Sequence, residues 1–128
     1  GQGCPICNES KLETEISKLL DNNDIEYERQ KKFEWLFNIK NMSLDFYLPK
    51  YNIAIECQGE QHFRPIDYFG GKDEYDIICN RDRIKYNLCK EHDLNIFYFS
   101  SKEFGNIDYL GNIYCDKERL LEEITRLQ

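Results

Sequence analysis

Residues 44–58 read LDFYLPKYNIAIECQ, and the fold turns on them. Leu44-Asp45-Phe46-Tyr47-Leu48 has the aromatic and apolar make-up of a strand. Pro49-Lys50-Tyr51-Asn52 supplies turn residues, and Ile53 to Gln58 opens as an apolar run. Strand, turn and strand make a hairpin, with Asp45 on one arm and Glu56 on the other. A carboxylate at the end of a buried strand is out of place, because an unpaired charge taken out of water costs several kcal/mol or neutralises itself. Something must offset that cost, and the chain continues with further polar groups, Gln58, Glu60, Gln61 and His62.

Upstream of the hairpin, Ser10 and Glu13 have the spacing of a capping box. Leu12, Ile16, Leu19 and Leu20 then recur at helical intervals, so residues 11–22 are expected as an amphipathic helix that ends at Asp21-Asn22-Asn23-Asp24. IEYERQ, residues 25–30, alternates apolar and polar like a strand, whereas KKFEWLFNIK, residues 31–40, fits a short turn or an irregular segment. Downstream, residues 59–71 read as a loop ending in Phe69-Gly70-Gly71. Tyr75, Ile77, Ile78, Ile84, Leu88 and Cys89 mark a helix over 73–92, and Asn95 to Phe99 is an apolar, central strand. SSKEFGN is expected as a loop and DKERLLEEITRL as a closing amphipathic helix. The order is helix, strand, strand, strand, helix, strand, helix. A helix between hairpin and last strand demands a crossover, which predicts an α/β chain with a mixed β-sheet flanked by helices.

At 128 residues the chain fits one domain able to bury a core without disulfide staples. Its 41% hydrophobic and 32% charged residues are those of an ordinary globular protein. With no long apolar run and no signal-peptide pattern in GQGCPICNES, a cytoplasmic protein with no membrane partner is expected. Six cysteines there are thiols or metal ligands rather than disulfides. Cys4-Pro5-Ile6-Cys7 has the C-x2-C spacing of a zinc knuckle, half of a tetrahedral site whose other half would lie upstream in a longer parent; the alternative is two ordinary thiols. Cys57, Cys79, Cys89 and Cys115 sit among apolar neighbours and read as small core residues. A net charge of −7 argues against a surface that grips a polyanion throughout. Two local basic patches remain, Arg29-Gln30-Lys31-Lys32 and the Arg81, Arg83 and Lys85 of NRDRIK.

Asp45 and Glu56 bracket the hairpin turn, so their carboxylates can converge on adjacent strands. A divalent cation explains how they tolerate each other. Mg²⁺ prefers oxygen donors and typically takes one or two protein carboxylates, leaving water and substrate phosphate to complete its octahedron. Gln58, two residues after Glu56, leaves the same strand face. His62 can exchange a proton near neutral pH, and Glu13 can bring a third carboxylate. The structural alternative pairs Asp45 with Lys50 and Glu56 with Arg81 or Lys85, but several polar groups at one sheet end are costly unless something binds there.

The stretches SKLE, LDFYLPKYNIAIECQGEQHF, FGG and RDRIK together resemble the PD-(D/E)XK nuclease superfamily, in the branch similar to very-short-patch-repair endonucleases and to homing-type or phage-borne nuclease domains. The match runs from Cys4 to about Lys85, roughly two-thirds of the chain. The resemblance implies a restriction-endonuclease-like fold over residues 10–128, preceded by a partial zinc-knuckle-like segment at 1–9. By the same likeness Asp45 is the metal-binding aspartate, Glu56 is the acidic residue of (D/E)-x-K, and Gln58 stands where that motif has its lysine. Glu13 matches a helix glutamate that assists the metal, and His62 the histidine of Q-H. Asp82 and Lys85 match D-x-x-K, with Lys85 placed to hold phosphate or replace the missing lysine.

The implied activity is Mg²⁺-dependent hydrolysis of DNA, with Mn²⁺ able to substitute and Lys31, Lys32, Arg81 and Lys85 meeting phosphates. The implied setting is the catalytic domain of a larger homing, restriction or repair-type nuclease, acting as a homodimer or with an upstream DNA-binding domain. The rival expectation is a non-catalytic nucleic-acid or protein interaction module built on the same scaffold.

Overall fold

In a computed structural model, residues 5–67, 70–102, 110 and 112–126 are described. The first helix, α1, runs Pro5–Asn22. It starts earlier than its capping box predicts. Proline is tolerated in the first helical turn, where its missing N–H has no partner to lose, so the helix extends back through Ser10. Ser10 is therefore no cap, and its carbonyl accepts a bond from Thr14 Oγ1 at 3.0 Å. Cys4 lies outside the described residues, and of Cys7 only the backbone, in α1, is described.

Three antiparallel strands follow, β1 Glu28–Asn38, β2 Lys40–Leu48 and β3 Ile53–Cys57. The segment expected as a turn or irregular stretch is strand. Long-range packing decides this: Phe33 stacks on Trp35 at 4.8 Å, Trp35 stacks on His92 at 4.3 Å, and Phe33 meets Tyr47 edge-on at 5.1 Å. Two of these partners, His92 and Tyr47, lie outside the ten-residue window 31–40, so that window could not announce them.

A short 3-10 turn at Glu60–His62 leads toward α2, Gly71–Glu91, which crosses over to β4, Asn95–Phe99. Gly70, just before α2, has φ +91, and a Cβ there would approach Glu74 Cβ to 2.9 Å, so glycine is required on both counts. β4 pairs parallel with β3, in register Ile53↔Asn95 to Cys57↔Phe99. A further strand, β5 Asn112–Tyr114, pairs parallel with β4, and α3, Lys117–Arg126, closes the chain. β5 is absent from the expected order because three residues are too short to show a period. The expected loop at SSKEFGN falls largely outside the described residues, as does Phe69.

The result is a mixed α/β fold, a five-stranded sheet in the order β1-β2-β3-β4-β5 with three α-helices among the described residues. Alternate residues of a strand point to opposite faces. Ile53, Ile55, Phe97 and Phe99 pack with Leu12 and Ile16 of α1 and Leu120 and Ile124 of α3, whereas Ala54, Ile96 and Tyr98 pack with Cys89 of α2. The sheet thus lies between α1 and α3 on one side and α2 on the other. Of the four cysteines expected in the core, Cys57 and Cys89 are buried, while Cys79 and Cys115 are half-buried. No helix among the described residues is long and apolar enough to cross a membrane.

Two features position the site. β2 is nine residues long against five for β3, so the β1–β2 hairpin overhangs the C-terminal end of β3. The middle of α2, from Ile78 to Lys85, lies across the cavity from that overhang.

Candidate active site

The β2–β3 register pairs Phe46 with Ile55, and its continuation by one residue sets Asp45 beside Glu56 on the α2 face. Here carboxylates take over backbone pairing. The Asp45 N–H donates to Glu56 Oε2 at 2.7 Å, and the Cys57 N–H donates to Asp45 Oδ2 at 2.9 Å. The two acids are locked together by the ladder itself. Glu56 is only 3% exposed, and its cost is offset by Lys85, which reaches across from α2 to within 2.6 Å of Oε1. Burial alone would lower the Lys85 pKa, but the Glu56 charge and hydrogen bond outweigh it and hold the ammonium above its ordinary value.

Among the described residues, no cation pairs with Asp45 as Lys85 does with Glu56. Burial first, then the Glu56 charge beside it, raise its carboxyl well above the usual range, against the Cys57 N–H that favours the charged form. Gln30 Nε2 approaches Asp45 Oδ1 at 3.4 Å, and Ser43 Oγ donates to Gln30 Oε1 at 3.0 Å. Gln30 can reach because it has φ +50 and breaks the alternation of β1.

Around this pair lies a cavity of about 440 Å³, walled by the hairpin overhang, α2, the 59–62 segment and Glu9 of α1. It gathers Asp45, Glu56, Gln58, His62, Arg81, Lys85 and Lys32. Gln58 is 2% exposed and anchored through its backbone: its N–H donates to Phe99 O at 2.9 Å, and its carbonyl accepts from Ser100 Oγ at 2.6 Å. His62 sits between two carboxylates, with Nδ1 2.7 Å from Asp82 and Nε2 3.3 Å from Glu9. Burial works against its charge, but the bonds to Asp82 and then Glu9 prevail and carry its pKa to about 9, so it is an imidazolium at neutral pH.

Two expected residues lie elsewhere. Glu13 is not on the cavity wall and grips Arg29, whose guanidinium covers the Phe46 ring at 4.4 Å. Lys31 is drawn away by Glu28 at 3.1 Å and lies over the rings of Phe33 and Tyr47.

Two charged residues that the sequence did not single out stand in the wall. Glu9 accepts from the Gly59 N–H at 3.1 Å and from Gln61 Nε2 at 2.9 Å, besides meeting His62. Its signal was its place one helical turn before Glu13, hidden by the expected helix start. Lys40 joins from the start of β2.

Charge is layered with depth. Lys32, Lys40 and Arg81 are exposed, whereas Glu56 and Asp82 are 3% and 5% exposed. Four carboxylates (Glu9, Asp45, Glu56, Asp82) face four cations (Lys32, Lys40, Arg81, Lys85) before His62 is counted. In a chain of net charge −7, this hollow is locally neutral to positive, with basic groups outermost.

No family model, curated protein or solved structure matches the chain.

Among the described residues, no three His, Cys, Asp or Glu side chains are grouped to hold a metal ion. A hard divalent cation needs fewer, and one or two carboxylates with water suffice for Mg²⁺. Three observations fit such an ion. Asp45 and Glu56 lie side by side with a single ammonium, Lys85, bonded to Glu56, both carry oxygen donors, and among the described residues the buried Gln61 Oε1 in the same wall has no hydrogen-bond partner.

Proposed function

We propose that this chain is a divalent-cation-dependent nuclease domain that hydrolyses DNA phosphodiester bonds, on a restriction-endonuclease-like form of the mixed sheet. The observation that carries the reading is the adjacent Asp45–Glu56 pair, deep in a hollow whose rim is basic. A phosphodiester is an anion whose hydrolysis develops more negative charge, so it calls for cations at the surface and oxygen donors for a metal beneath.

Asp45 and Glu56 would hold the ion. When bound, Mg²⁺ supplies Lewis acidity toward a phosphate oxygen and acidifies water. The chain's own groups do the rest. Arg81, Lys32 and Lys40 orient the backbone over the opening. Lys85 holds Glu56 in place and presents an ammonium that does not lose its proton at neutral pH. Gln58, fixed by Phe99 and Ser100, has a neutral amide suited to orienting water rather than deprotonating it. Glu9 and Asp82, through His62, fasten the 59–62 segment between α1 and α2 and so keep Gln58 stationary.

The test is incubation with supercoiled plasmid and Mg²⁺ or Mn²⁺, with EDTA as control. The expected result is nicking that needs the metal and disappears in Asp45→Asn. Metal-dependent nicking by a pure Asp45→Asn preparation overturns the assignment. A second reading, an interaction module without catalysis, draws on one observation: Lys85 already neutralises Glu56 with no metal at all. Absence of nicking under every condition favours it.

A further inference from the structure

Three large apolar side chains stand exposed among the described residues, Phe37, Ile39 and Ile77, and each is a chain neighbour or ladder partner of a residue lining the candidate site. Ile39 is the residue between β1 and β2, 92% exposed, and next to it Lys40 lines the cavity. Phe37, 55% exposed, pairs across the hairpin with Asn41, another wall residue. Ile77 on α2 directly precedes the wall residue Ile78.

Nothing in the fold asks for Ile39 where it is. Its φ is +68, a left-handed conformation that a β-branched side chain disfavours, and it buries nothing there. Asn38, a residue that tolerates this conformation far better, stands one position earlier. Strained residues in exposed tips persist where function holds them.

Resting on the nuclease reading above, we infer that the β1–β2 hairpin tip is a wedge that enters duplex DNA beside the cleavage site, with Ile39 and Phe37 inserted between neighbouring base pairs. Proteins that kink DNA do this with Phe, Ile, Leu or Met, unstacking a step so that more backbone reaches the protein. A base-pair interior is apolar and its rim anionic. The tip has the matching order, apolar side chains at the end with Lys40 and Lys32 behind them on the same hairpin. Insertion also gives an acidic chain an affinity for a polyanion that does not depend on counterion release.

A second copy of the chain is a poorer occupant. Two side chains fall far short of the roughly 800 Å² per partner of a stable interface, and tip-to-tip pairing would set identical lysines against each other.

The experiment uses the whole chain and a Phe37→Ser/Ile39→Gly double variant. A duplex carrying 2-aminopurine in place of adenine is titrated in EDTA, and plasmid nicking with Mg²⁺ is measured in parallel. Wild type is expected to raise the 2-aminopurine emission as the base unstacks. The variant is expected to bind about tenfold more weakly, leave the emission flat and show an unchanged salt slope. Glycine relieves the left-handed strain, so the melting temperature holds or rises, which separates lost contact from lost fold. Equal affinity and emission for variant and wild type overturn the wedge. A wild type that nicks plasmid but leaves the emission flat overturns the wedge alone. A chain that neither binds nor nicks removes both readings. Sedimentation showing that wild type self-associates and the variant does not replaces DNA with a second copy.

Discussion

Lys85 Nζ stands 2.6 Å from Glu56 Oε1, although they lie 29 positions apart, one on β3 and the other on the crossover helix α2. Their side chains are 15% and 4% exposed, so neither charge can turn to water if the other is lost. Lys85→Met is expected to destabilise the fold by about 3–5 kcal/mol, and Glu56→Gln/Lys85→Met by much less, because the double variant leaves no buried charge unpaired. Urea denaturation of the two single variants and the double decides it. Equal losses for single and double variants would mean the contact does not carry the pair.

Asp45 yields a prediction about pH and metal. Its folded pKa is raised above the unfolded value near 3.9, so the stability it contributes is present below that value and lost as pH rises through the folded pKa. In EDTA, Asp45→Asn should therefore melt higher than wild type at neutral pH, with the gain vanishing toward pH 4. Adding Mg²⁺ or Mn²⁺ should raise the melting temperature of wild type and leave the variant unmoved. Scanning calorimetry with and without EDTA reads both effects.

His62 runs over a different window. Its folded pKa near 9 exceeds the ordinary 6.5, so its contribution is complete below about pH 6.5 and is lost as pH climbs through 9. The loss is on the order of 3 kcal/mol. His62→Gln should flatten stability between those limits, and Glu9→Gln should lower the imidazole pKa. An NMR titration of the ring protons that finds wild-type His62 titrating near 6.5 would discard the two-carboxylate clamp.

Gln58 and Lys85 offer an exchange. If one ammonium near Glu56 is what the chemistry needs, Gln58→Lys/Lys85→Gln should retain measurable Mg²⁺-dependent nicking, while Lys85→Gln alone should lose on the order of 100-fold. Single-turnover plasmid assays separate the two.

Much of this was legible because the information was local. The 44–58 hairpin, the long second helix and the apolar strand at 95–99 follow from period and turn chemistry, and the Asp45–Glu56 pairing follows from the hairpin. What escaped depended on distant partners. β1 continues through 31–38 because Trp35 finds His92, and Glu9 joins the wall because α1 starts at Pro5. Lys31 and Lys32 look alike in sequence, but a left-handed Gln30 and the pull of Glu28 send only Lys32 to the opening.

The outer strand β1 has a consequence beyond the site. With no further strand paired to it among the described residues, its eleven residues leave a row of free amides and carbonyls along one margin of the sheet. Such a margin templates fibrils when it is long and bland. Glu28, Arg29, Lys31, Lys32 and Glu34 put a charge on nearly every other step of it, and the Gln30 kink breaks its flatness. Protection against edge-to-edge pairing thus sits on the same strand that carries the hairpin to its tip, and neutralising Glu28, Arg29 and Glu34, none of which lines the cavity, should promote aggregation while leaving the cavity's charges in place.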